Sequence, residues 1–490
     1  MSYKPTIGLE IHLQLATKSK MFCDCPNISL QEKANSDICP ICAGQPGALP
    51  FINKKAIEMG IRLGLALNGK IENKFYFERK NYFYPDLPKG YQISQKRAPL
   101  LKNAEFDLDY KKIKIDEIHL EEDTAKICHQ GDEVLIDFNR AGTPLLEIVT
   151  APEIENAREA KQFCEELQAI VRTLGISSAN MEKGEMRCEV NVSLQESGIR
   201  NQELGTKVEI KNLNSFRAVE RCIEHEIKRQ ATVLEEGKKV IQETRGWDEK
   251  NNKTTSQRIK EESEDYRYFP EPDLPGFEIS QKEIEDLKKT LPELPSAKRK
   301  RLMEKYNFDH LTAKILTSQN EILIFIEEVM DVLMPKMQEL IEDGGEEQNK
   351  KLAKKVGDWL INKLFGLETV LGGRFFEKVK ANDFADFMFL VLKGGMFSNQ
   401  MGENILRKMY ETGKTVEEIM ADGSMKKIDD QEEIKKAVEL VLENYPEVVA
   451  DYKKGKTNAL KYLLGQTMAA THGKADPKEL EKLLLKFLEK

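Results

Sequence analysis

The chain has 490 residues, 40% of them apolar and 32% charged, and its 75 basic against 83 acidic residues give a formal net charge of −8. No stretch approaches the roughly 20 apolar residues of a membrane span, and the net charge argues against binding nucleic acid by overall charge, so any such contact must be local. The length predicts about three domains, while the start MSYKPTIGLEIH and eight cysteines without a disulfide-scaffold pattern predict a soluble cytoplasmic protein.

Four cysteines follow the first alternating segment: Cys23 and Cys25, then Cys39 and Cys42. A Cys-x-Cys pair followed by a Cys-x-x-Cys pair can bring four thiolates to one tetrahedral zinc. Four protein ligands leave no open position for a substrate, so such a zinc is structural. Two disulfides, or four unrelated buried thiols, are the alternatives that the spacing leaves open.

The chain divides into a mixed first part and a helical second part. Up to about residue 280, short alternating segments, turns and a few helices predict an α+β domain on a largely antiparallel sheet. Two helices are well signalled: Asn156 can cap one, which Gly175 can end, and Ser215 precedes the other. Beyond the linker LPELPSAKRKR the pattern is helical. We expect domains at 1–293, 294–397 and 398–490.

Three of the alternating segments carry polar residues on one face and apolar residues on the other. The polar residues are Glu10, His12 and Gln14 in GLEIHLQL, Glu189, Asn191 and Ser193 in CEVNVSL, and Lys207, Glu209 and Lys211 in GTKVEIKN. The exposed face of an antiparallel sheet is also polar, so a solvated surface is the alternative. Because hard cations take oxygen ligands and lysines take phosphoryl charge, the combination favours a site for magnesium and phosphate.

More acidic residues lie in two turn-rich segments. They are Glu121, Glu122 and Asp123 in HLEEDTAK, and Glu182 and Glu185 in MEKGEMR. By strict alternation Glu122 shares a face with Leu120, so its entry into the same site requires a bulge or a turn.

Two further segments combine basic and aromatic residues, which can grip phosphates and stack on bases. FERKNYFYPDLPKGYQISQ contains Arg79, Lys80, Tyr82, Tyr84, Lys89 and Tyr91, and KEESEDYRYFPEPDLP contains Asp265, Tyr266, Arg267 and Tyr268. The same composition occurs where a loop packs on a sheet. At the C terminus, lysines outnumber acidic residues over 452–490, which is typical of a phosphate-binding patch or of a solvated helix face.

The sequence lacks the common motifs for nucleotide binding and hydrolysis, which are GxxxxGK[ST], GxGxxG after a strand, GxSxG and HExxH.

Seven segments instead closely resemble the B subunit of the glutamyl/aspartyl-tRNA amidotransferase family. They are IGLEIHLQL, RKNYFYPDLPKGYQIS, HLEEDTAK, RAGTPLLEIVT, MRCEVNVSL, KVEIKNLNSF and DYRYFPEPDLP. The segment DYKKGKTNALKYLLGQTMAATHGKADP is similar to the small helical tail that this family shares with the YqeY proteins. The resemblance implies a cradle domain with a zinc-stabilised loop, an all-α domain and a tRNA-binding tail.

The resemblance also implies a reaction and its partners. The family transfers the γ-phosphoryl group of ATP to the side-chain carboxylate of Glu or Asp misacylated on tRNA, and ammonia then displaces the phosphate. The products are Gln-tRNA(Gln) and Asn-tRNA(Asn). The amidase partner, or A subunit, supplies the ammonia, and the small C subunit completes a heterotrimer. The implied cofactors are ATP, magnesium and a structural zinc, which only some members carry.

Family roles carry over to the matching residues. The magnesium-centred kinase site is expected to comprise Glu10, His12 and Glu122, extended by Glu182, Glu189 and Glu209. We expect the charge of the acyl phosphate to be balanced by Lys207, Lys211 or Arg245. The expected wall of an ammonia channel comprises Arg79, Lys80, Tyr82, Tyr84, Lys89 and Tyr91. The tRNA phosphates are expected to contact Lys453, Lys454, Lys456 and Lys461.

A competing hypothesis makes the chain a zinc-ribbon RNA-binding or assembly factor without catalysis, whose polar sheet face is a docking surface. The carboxylates of Glu10, Glu189 and Glu209 argue against it, because uncompensated carboxylates repel RNA phosphates and a bound magnesium ion removes that conflict. The chain also shows neither a Ser-Ser-Lys amidase arrangement nor a glutaminase cysteine, so the ammonia must come from a partner.

Overall fold

The computed structural model describes residues 3–27, 33–108, 110–196, 205–259, 265–338, 346–393, 398–422, 431–453, 456–471 and 477–488. The chain forms two compact units, Met1–Pro295 and Ser296–Lys490. Among the described residues, no helix combines the length and the apolar character that crossing a membrane requires.

All the named strands lie in the first unit. They are β1 (Tyr3–Gln14), β2 (Lys70–Ile71), β3 (Lys74–Phe75), β4 (Glu78–Asn81), β5 (Tyr91–Ser94), β6 (Leu101–Asp107), β7 (Lys112–Glu122), β8 (Lys126–Gln130), β9 (Glu133–Asp137), β10 (Pro144–Thr150), β11 (Met186–Glu196), β12 (Val208–Leu213), β13 (Glu243–Asp248), β14 (Lys253–Ile259), β15 (Phe269–Pro270) and β16 (Phe277–Glu278).

The helices of the first unit are α1 (Lys54–Ala66), α2 (Ala157–Thr173), α3 (Phe216–Glu235) and α4 (Gln281–Lys289). Helix α5 (Pro295–Tyr306) begins at the boundary, and the second unit continues with α6 (His310–Leu316), α7 (Asn320–Gln338), α8 (Glu346–Asp358), a π-helical segment (Trp359–Leu364), α9 (Phe365–Leu371), α10 (Phe375–Lys378), α11 (Ala381–Lys393), α12 (Asn399–Thr412), α13 (Val416–Ala421), α14 (Gln431–Asn444), α15 (Pro446–Lys453), α16 (Thr457–Ala470) and α17 (Pro477–Leu488).

A nine-stranded sheet organises the first unit, with the strand order β14-β13-β12-β11-β1-β10-β7-β6-β2. Its neighbouring strands pair antiparallel except for β12 and β13, which are parallel. The predicted α+β class, with a largely antiparallel sheet and a helical C-terminal region, is therefore confirmed.

One face of this sheet is apolar and covered by helices. Along β1 the buried residues alternate with half-buried ones, so Ile7, Leu9 and Ile11 point into the core. Helix α1 packs against β6 and β7, and α3 packs against β11 and β12. Gly64 permits the close approach of α1, because a Cβ there would lie 2.6 Å from the side chain of Ile71. The alternation therefore reserves the opposite face of the central strands for polar side chains.

Helix α2 has the predicted ends. The side chain of Asn156 accepts a hydrogen bond from the backbone N–H of Glu159 at 2.9 Å, which caps the first turn. After the helix, Gly175 takes a positive φ of 66° and its N–H bonds to the carbonyl of Arg172 at 3.0 Å. Both termini could be predicted because they depend on local chemistry.

A small sheet of order β15-β4-β5 lies beside the end of β7, where Gln92 donates a side-chain hydrogen bond to the carbonyl of Glu122 at 2.7 Å. Strands β15 and β4 are held together by Arg79, which makes two hydrogen bonds of 2.7 Å to the buried carboxylate of Glu271. Charge-assisted bidentate pairs of this kind give strong geometric definition. The segment that contains Tyr266 is thereby tied to β4.

The second unit contains two hydrophobic cores within its described residues. One extends from Leu302 to Ile419 and the other from Ile434 to Leu488. Helix α12 contributes Ile405 and Leu406 to the first of these cores. The division into three domains at 293/294 and 397/398 remains a prediction.

Candidate functional site

Seven acidic and histidine side chains form a continuous strip across five adjacent strands, on the face opposite α1 and α3. We call this set the acidic strip; it comprises Glu10, His12, His119, Glu121, Glu147, Glu189 and Glu209. It consists of three overlapping groups whose potential ligand atoms lie within 4.8 Å of one another: Glu10, His12 and Glu147; His119, Glu121 and Glu147; and Glu10, Glu189 and Glu209.

Strand register explains the convergence. Strand β10 pairs with both β1 and β7, so His12, Glu147 and His119 stand in one row across three strands. On the other side of β1, Glu10 pairs directly with Glu189. Side chains directly opposite each other in antiparallel strands lie about 5 Å apart, so residues that are distant in sequence meet here.

The distances within the strip are short. His12 Nε2 lies 3.4 Å from Glu121 Oε1 and 3.4 Å from Glu147 Oε2. His119 Nε2 lies 3.1 Å from the same Oε2 atom of Glu147. Thr244 on β13 donates a hydrogen bond of 2.7 Å to Glu209, which fixes the far end of the strip.

Burial and mutual repulsion alter the proton affinities of these groups. Burial raises the pKa of Glu10 to about 7, and the carboxylates of Glu147 and Glu189 act in the same direction. For Glu147, burial acts to raise the pKa, but His119 and His12 outweigh it and hold the pKa well below its usual range. Burial acts to lower the pKa of His12, yet its contacts with Glu121 and Glu147 raise the pKa well above the ordinary histidine value.

Three basic side chains partly compensate the negative charge. Lys211 pairs with Glu189 at 2.9 Å, and Arg187 pairs with Asp123 at 3.0 Å. Lys80 forms no ion pair with a described carboxylate; its ammonium lies 5.0 Å from the ring centroid of Tyr266. Burial acts to lower the pKa of Lys80, but Glu121 and the other carboxylates of the strip outweigh it and raise the pKa, which keeps the ammonium charged.

The structure places Glu122 apart from Glu10 and His12, with which the sequence analysis grouped it. Glu122 belongs to none of the three groups among the described residues; its carboxylate pairs with Lys89 and accepts a hydrogen bond from the N–H of Ile93 at 3.0 Å. Alternation along β7 is the reason, since Glu121 shares a face with His119 and Glu122 does not. Glu182 also lies outside the strip, exposed in the turn before β11.

Of the basic residues predicted to face the acyl phosphate, only Lys211 contacts the strip. Arg245 bonds to Glu243 at 2.5 Å and lies 3.9 Å from Glu226 of α3, on the helix-covered face. The register explains this, because Thr244 is the residue that pairs with Glu209 and the next side chain points away. Lys207 is exposed just before β12.

The residues predicted to line a channel have mixed environments. Arg79 donates a hydrogen bond to the carboxylate of Glu271, and its guanidinium carbon lies 4.3 Å from the ring centroid of Tyr91. Lys89 forms an ion pair with Glu122, and the side chain of Tyr84 is exposed. Tyr82 is packed against Tyr266 with the ring centroids 6.0 Å apart, and burial raises its pKa. A role for these residues in a channel remains a prediction.

Three members of the strip were not assigned to the site from the sequence: His119, Glu147, and Glu121, which was noted only as a nearby acidic residue. Glu147 interrupts an otherwise apolar strand, PLLEIVT, and such a lone acid was the available signal. His119 alternates with Leu120, which places it on the polar face.

The four clustered cysteines meet as predicted, with the ligand sulfurs of Cys23, Cys25, Cys39 and Cys42 within 4.8 Å of one another. The Sγ atom of Cys42 lies 3.9 Å from those of Cys25 and Cys39. A tetrahedral site with bonds of about 2.3 Å separates its sulfurs by about 3.8 Å, so this cluster fits a metal such as zinc. All four thiols are free, which excludes the two-disulfide alternative in this structure.

The thiols of the cysteine cluster differ in proton affinity: the hydrogen bond to Cys42 and burial raise the pKa of Cys23, and burial raises the pKa of Cys25. A hydrogen bond from Cys23 lowers the pKa of Cys42 to about 4, and the buried ammonium of Lys20, 3.5 Å from Cys42 Sγ, acts in the same direction. The thiolate is the form that ligates metal.

The acidic strip has the donor set of a hard divalent cation. Magnesium prefers carboxylate oxygens, and five carboxylates line this face. Glu10 in particular has a pKa raised by burial beside like charges, so a bound cation would relieve the repulsion.

Three of the lysines predicted to bind tRNA are described and exposed: Lys453 at the end of α15, Lys456, and Lys461 on α16. Lys456 pairs with Asp451 at 2.9 Å. Lys454 lies outside the described residues.

Comparisons with known proteins cover the whole chain. The family described as the GatB/GatE catalytic domain matches residues 5–285, and the family described as the GatB domain matches residues 339–488. The chain is 41% identical over 494 residues to a protein of Persephonella marina, 41% over 503 residues to one of Thermotoga maritima, and 41% over 494 residues to one of Clostridium novyi. Each match covers 100% of both chains, and each relative is named as the B subunit of an aspartyl/glutamyl-tRNA(Asn/Gln) amidotransferase.

We predict that the purified protein contains about one zinc per chain and that Cys42→Ser loses it, because four thiolates are needed to close the site. Metal content is measured by plasma mass spectrometry, and the unfolding temperature should fall together with the zinc. Cys128→Ser is the matched control, since Cys128 lies outside the cluster. Full zinc content in Cys42→Ser would contradict the assignment.

We predict that Glu10→Gln stabilises the metal-free protein at pH 8 relative to the wild type, but much less at pH 5. The folded-state pKa of Glu10 is raised to about 7 from 4.5, so its contribution to stability is present at low pH and is lost as pH rises through 7. Unfolding temperatures of both proteins at both pH values test this, and added Mg²⁺ should remove the advantage of the variant. An advantage of equal size at both pH values would contradict it.

Proposed function

The chain belongs to the family of aspartyl/glutamyl-tRNA(Asn/Gln) amidotransferase B subunits, and from this we propose that the acidic strip is the site where a misacylated tRNA is activated and amidated. The substrate is Glu-tRNA(Gln), Asp-tRNA(Asn) or both. The observation that carries the proposal is the convergence of five carboxylates and two histidines from five strands on one face of the sheet.

The chemistry requires activation of the amino-acid side chain. A free carboxylate is a poor acyl donor, because attack by ammonia would have to expel oxide. Transfer of the γ-phosphoryl group of ATP to one carboxylate oxygen gives an acyl phosphate and ADP. Ammonia then adds to the carbonyl carbon, a proton is lost, and phosphate leaves with the C–O bond electrons to yield the amide.

Glu10, His12, Glu121 and Glu147 are the residues that would hold magnesium. A divalent ion there supplies positive charge that neutralises the phosphate oxygens during transfer. The carboxylates of the strip keep that position anionic, and Thr244 holds Glu209 in place at its edge.

Lys80 is the basic residue best suited to an anionic group of the substrate. It is charged, it faces Glu121 and Glu147, and no described carboxylate is paired with it. Lys211 is less available for a substrate anion, because its ammonium already forms an ion pair with Glu189. We therefore assign to Lys80 the charge-balancing role that the sequence analysis gave to Lys207, Lys211 or Arg245.

The remaining elements complete the proposed enzyme. Ammonia comes from the amidase partner, the A subunit, in a complex with the small C subunit, through a channel that ends near the strip. The exposed lysines of α15 and α16 bind tRNA phosphates, and the cysteine cluster holds a structural zinc. The protein works in the cytoplasm with the rest of the translation machinery.

We predict that Glu121→Gln lowers ammonia-dependent amidation by about 100-fold or more, because one of the carboxylates that would hold magnesium is removed. Formation of Gln-tRNA from Glu-tRNA(Gln), with ATP, Mg²⁺ and ammonium chloride, is the assay. Binding of tRNA should be unchanged. Glu105→Gln, an exposed acid on β6 that pairs with Lys112, is the control and should keep full activity.

Ammonium chloride removes the need for a glutaminase partner, so this assay reports only on the strip. Normal amidation by Glu121→Gln would contradict the proposed site. Binding of tRNA without any ATP turnover in the wild-type complex would instead support the RNA-binding alternative.

We predict that replacing Lys453, Lys456 and Lys461 by Gln raises the Michaelis constant for tRNA without lowering the maximal rate. Loss of three phosphate contacts should reduce the slope of log affinity against log salt by about 2 to 3. Lys282, Lys288 and Lys289, exposed on α4, provide a control with the same charge change. An unchanged salt slope would contradict tRNA binding by the tail lysines.

A further inference from the structure

Glu147 occupies the centre of the row His12, Glu147 and His119. The two histidines approach it from the neighbouring strands β1 and β7, each through Nε2. Both contact the same oxygen, Oε2, at 3.4 Å from His12 and 3.1 Å from His119. The other oxygen, Oε1, accepts no hydrogen bond from the described residues.

The two histidines differ in their surroundings. The side chain of His12 is 17% exposed and that of His119 is 6% exposed. His12 therefore lies on the side of the strip that is open to solvent, and His119 lies on the more buried side. The Nδ1 atom of His119 is buried without a hydrogen-bond partner among the described residues. The contact with Glu147 needs a proton on Nε2, which both the Nε2–H tautomer and the imidazolium form of His119 carry.

The Nε2 atom of His119 lies 3.1 Å from Oε2 of Glu147, which is within the range of a hydrogen bond that Nε2–H donates. It fixes one oxygen of Glu147 and leaves the other free to take a cation. Carboxylates that ligate metal ions are commonly held by such a donor, which limits their rotation.

We propose that His119 is a positioning residue that orients Glu147 for a divalent cation bound beside His12. The inference rests on the proposed function for the existence of that cation, and it assigns His119 a role distinct from ligation. In this arrangement His12 and the carboxylate of Glu147 face the cation, while His119 contacts Oε2 of Glu147 from the less exposed side.

The alternative is that His119 is itself a ligand, since its Nε2 also lies within 4.8 Å of Glu121 and Glu147 ligand atoms. The contact distances favour positioning. His119 Nε2 is closer to Glu147 than to Glu121, which lies 3.9 Å away, and ligation would cost Glu147 its nearest donor.

Two variants separate these roles by binding of Mn²⁺ to the full-length chain, without ATP or tRNA. His119→Gln keeps an N–H donor of similar reach and should bind Mn²⁺ within a few-fold of the wild type. His119→Leu has no donor and should bind about 10- to 100-fold more weakly. His129→Leu, at an exposed histidine on β8, is the matched control and should leave the affinity unchanged.

A spectroscopic readout distinguishes positioning from ligation. Electron spin echo spectra of bound Mn²⁺ should show a directly ligating ¹⁴N that disappears in His12→Gln and persists in His119→Gln. Loss of that ¹⁴N coupling in His119→Gln would make His119 a ligand and overturn the inference. Wild-type affinity in His119→Leu would overturn it as well.

If His119→Leu proves unstable, His119→Asn is the second test, because its amide is polar but too short to reach Glu147. It should bind Mn²⁺ as weakly as expected for the leucine variant, and wild-type affinity would again contradict positioning. Since no substrate is present, weak binding by these variants supports the inference even if amidation fails, whereas absence of Mn²⁺ binding by the wild type overturns both.

Discussion

Repulsion among carboxylates that are crowded onto one partly buried face is the constraint on which the site depends. Glu10 feels both Glu147 and Glu189, and burial adds to the cost of its charge, as its raised pKa reflects. The protein offsets part of this cost through two histidines and Lys211. A divalent cation would supply the remainder most directly, because carboxylate oxygens are its preferred ligands.

The fold makes this crowding possible by using the two faces of one sheet differently. The apolar side chains of β1 bury against helices, and this burial fixes the register that sends Glu10 and His12 to the other face. A slip of one residue would exchange the faces, so the hydrophobic core also determines the geometry of the acidic strip. Arg79 and Glu271 then hold the small sheet of β15, β4 and β5 together, and Lys80 on β4 faces the strip.

Local patterns in the sequence predicted much of this arrangement. Alternation placed Glu10 and His12, Glu189, and Glu209 each on the polar face of its own strand, and the cap residues of α2 marked its ends. Paired spacing predicted that four cysteines would meet. In each case the signal lies within one continuous segment of the sequence, and no knowledge of strand order is needed.

What depends on strand order could not be predicted in the same way. Glu147 joins the strip only because β10 lies between β1 and β7, and Arg245 leaves it because Thr244 is the partner of Glu209. Glu122 was assigned to the site by resemblance, although alternation already placed it on the same face as Leu120. The structure agrees with the alternation.

The most direct test of the central claim, that the acidic strip binds a divalent cation, is anomalous X-ray diffraction from crystals soaked in Mn²⁺. The account predicts a peak among Glu10, His12 and Glu147; peaks confined to exposed carboxylates outside the strip would contradict it.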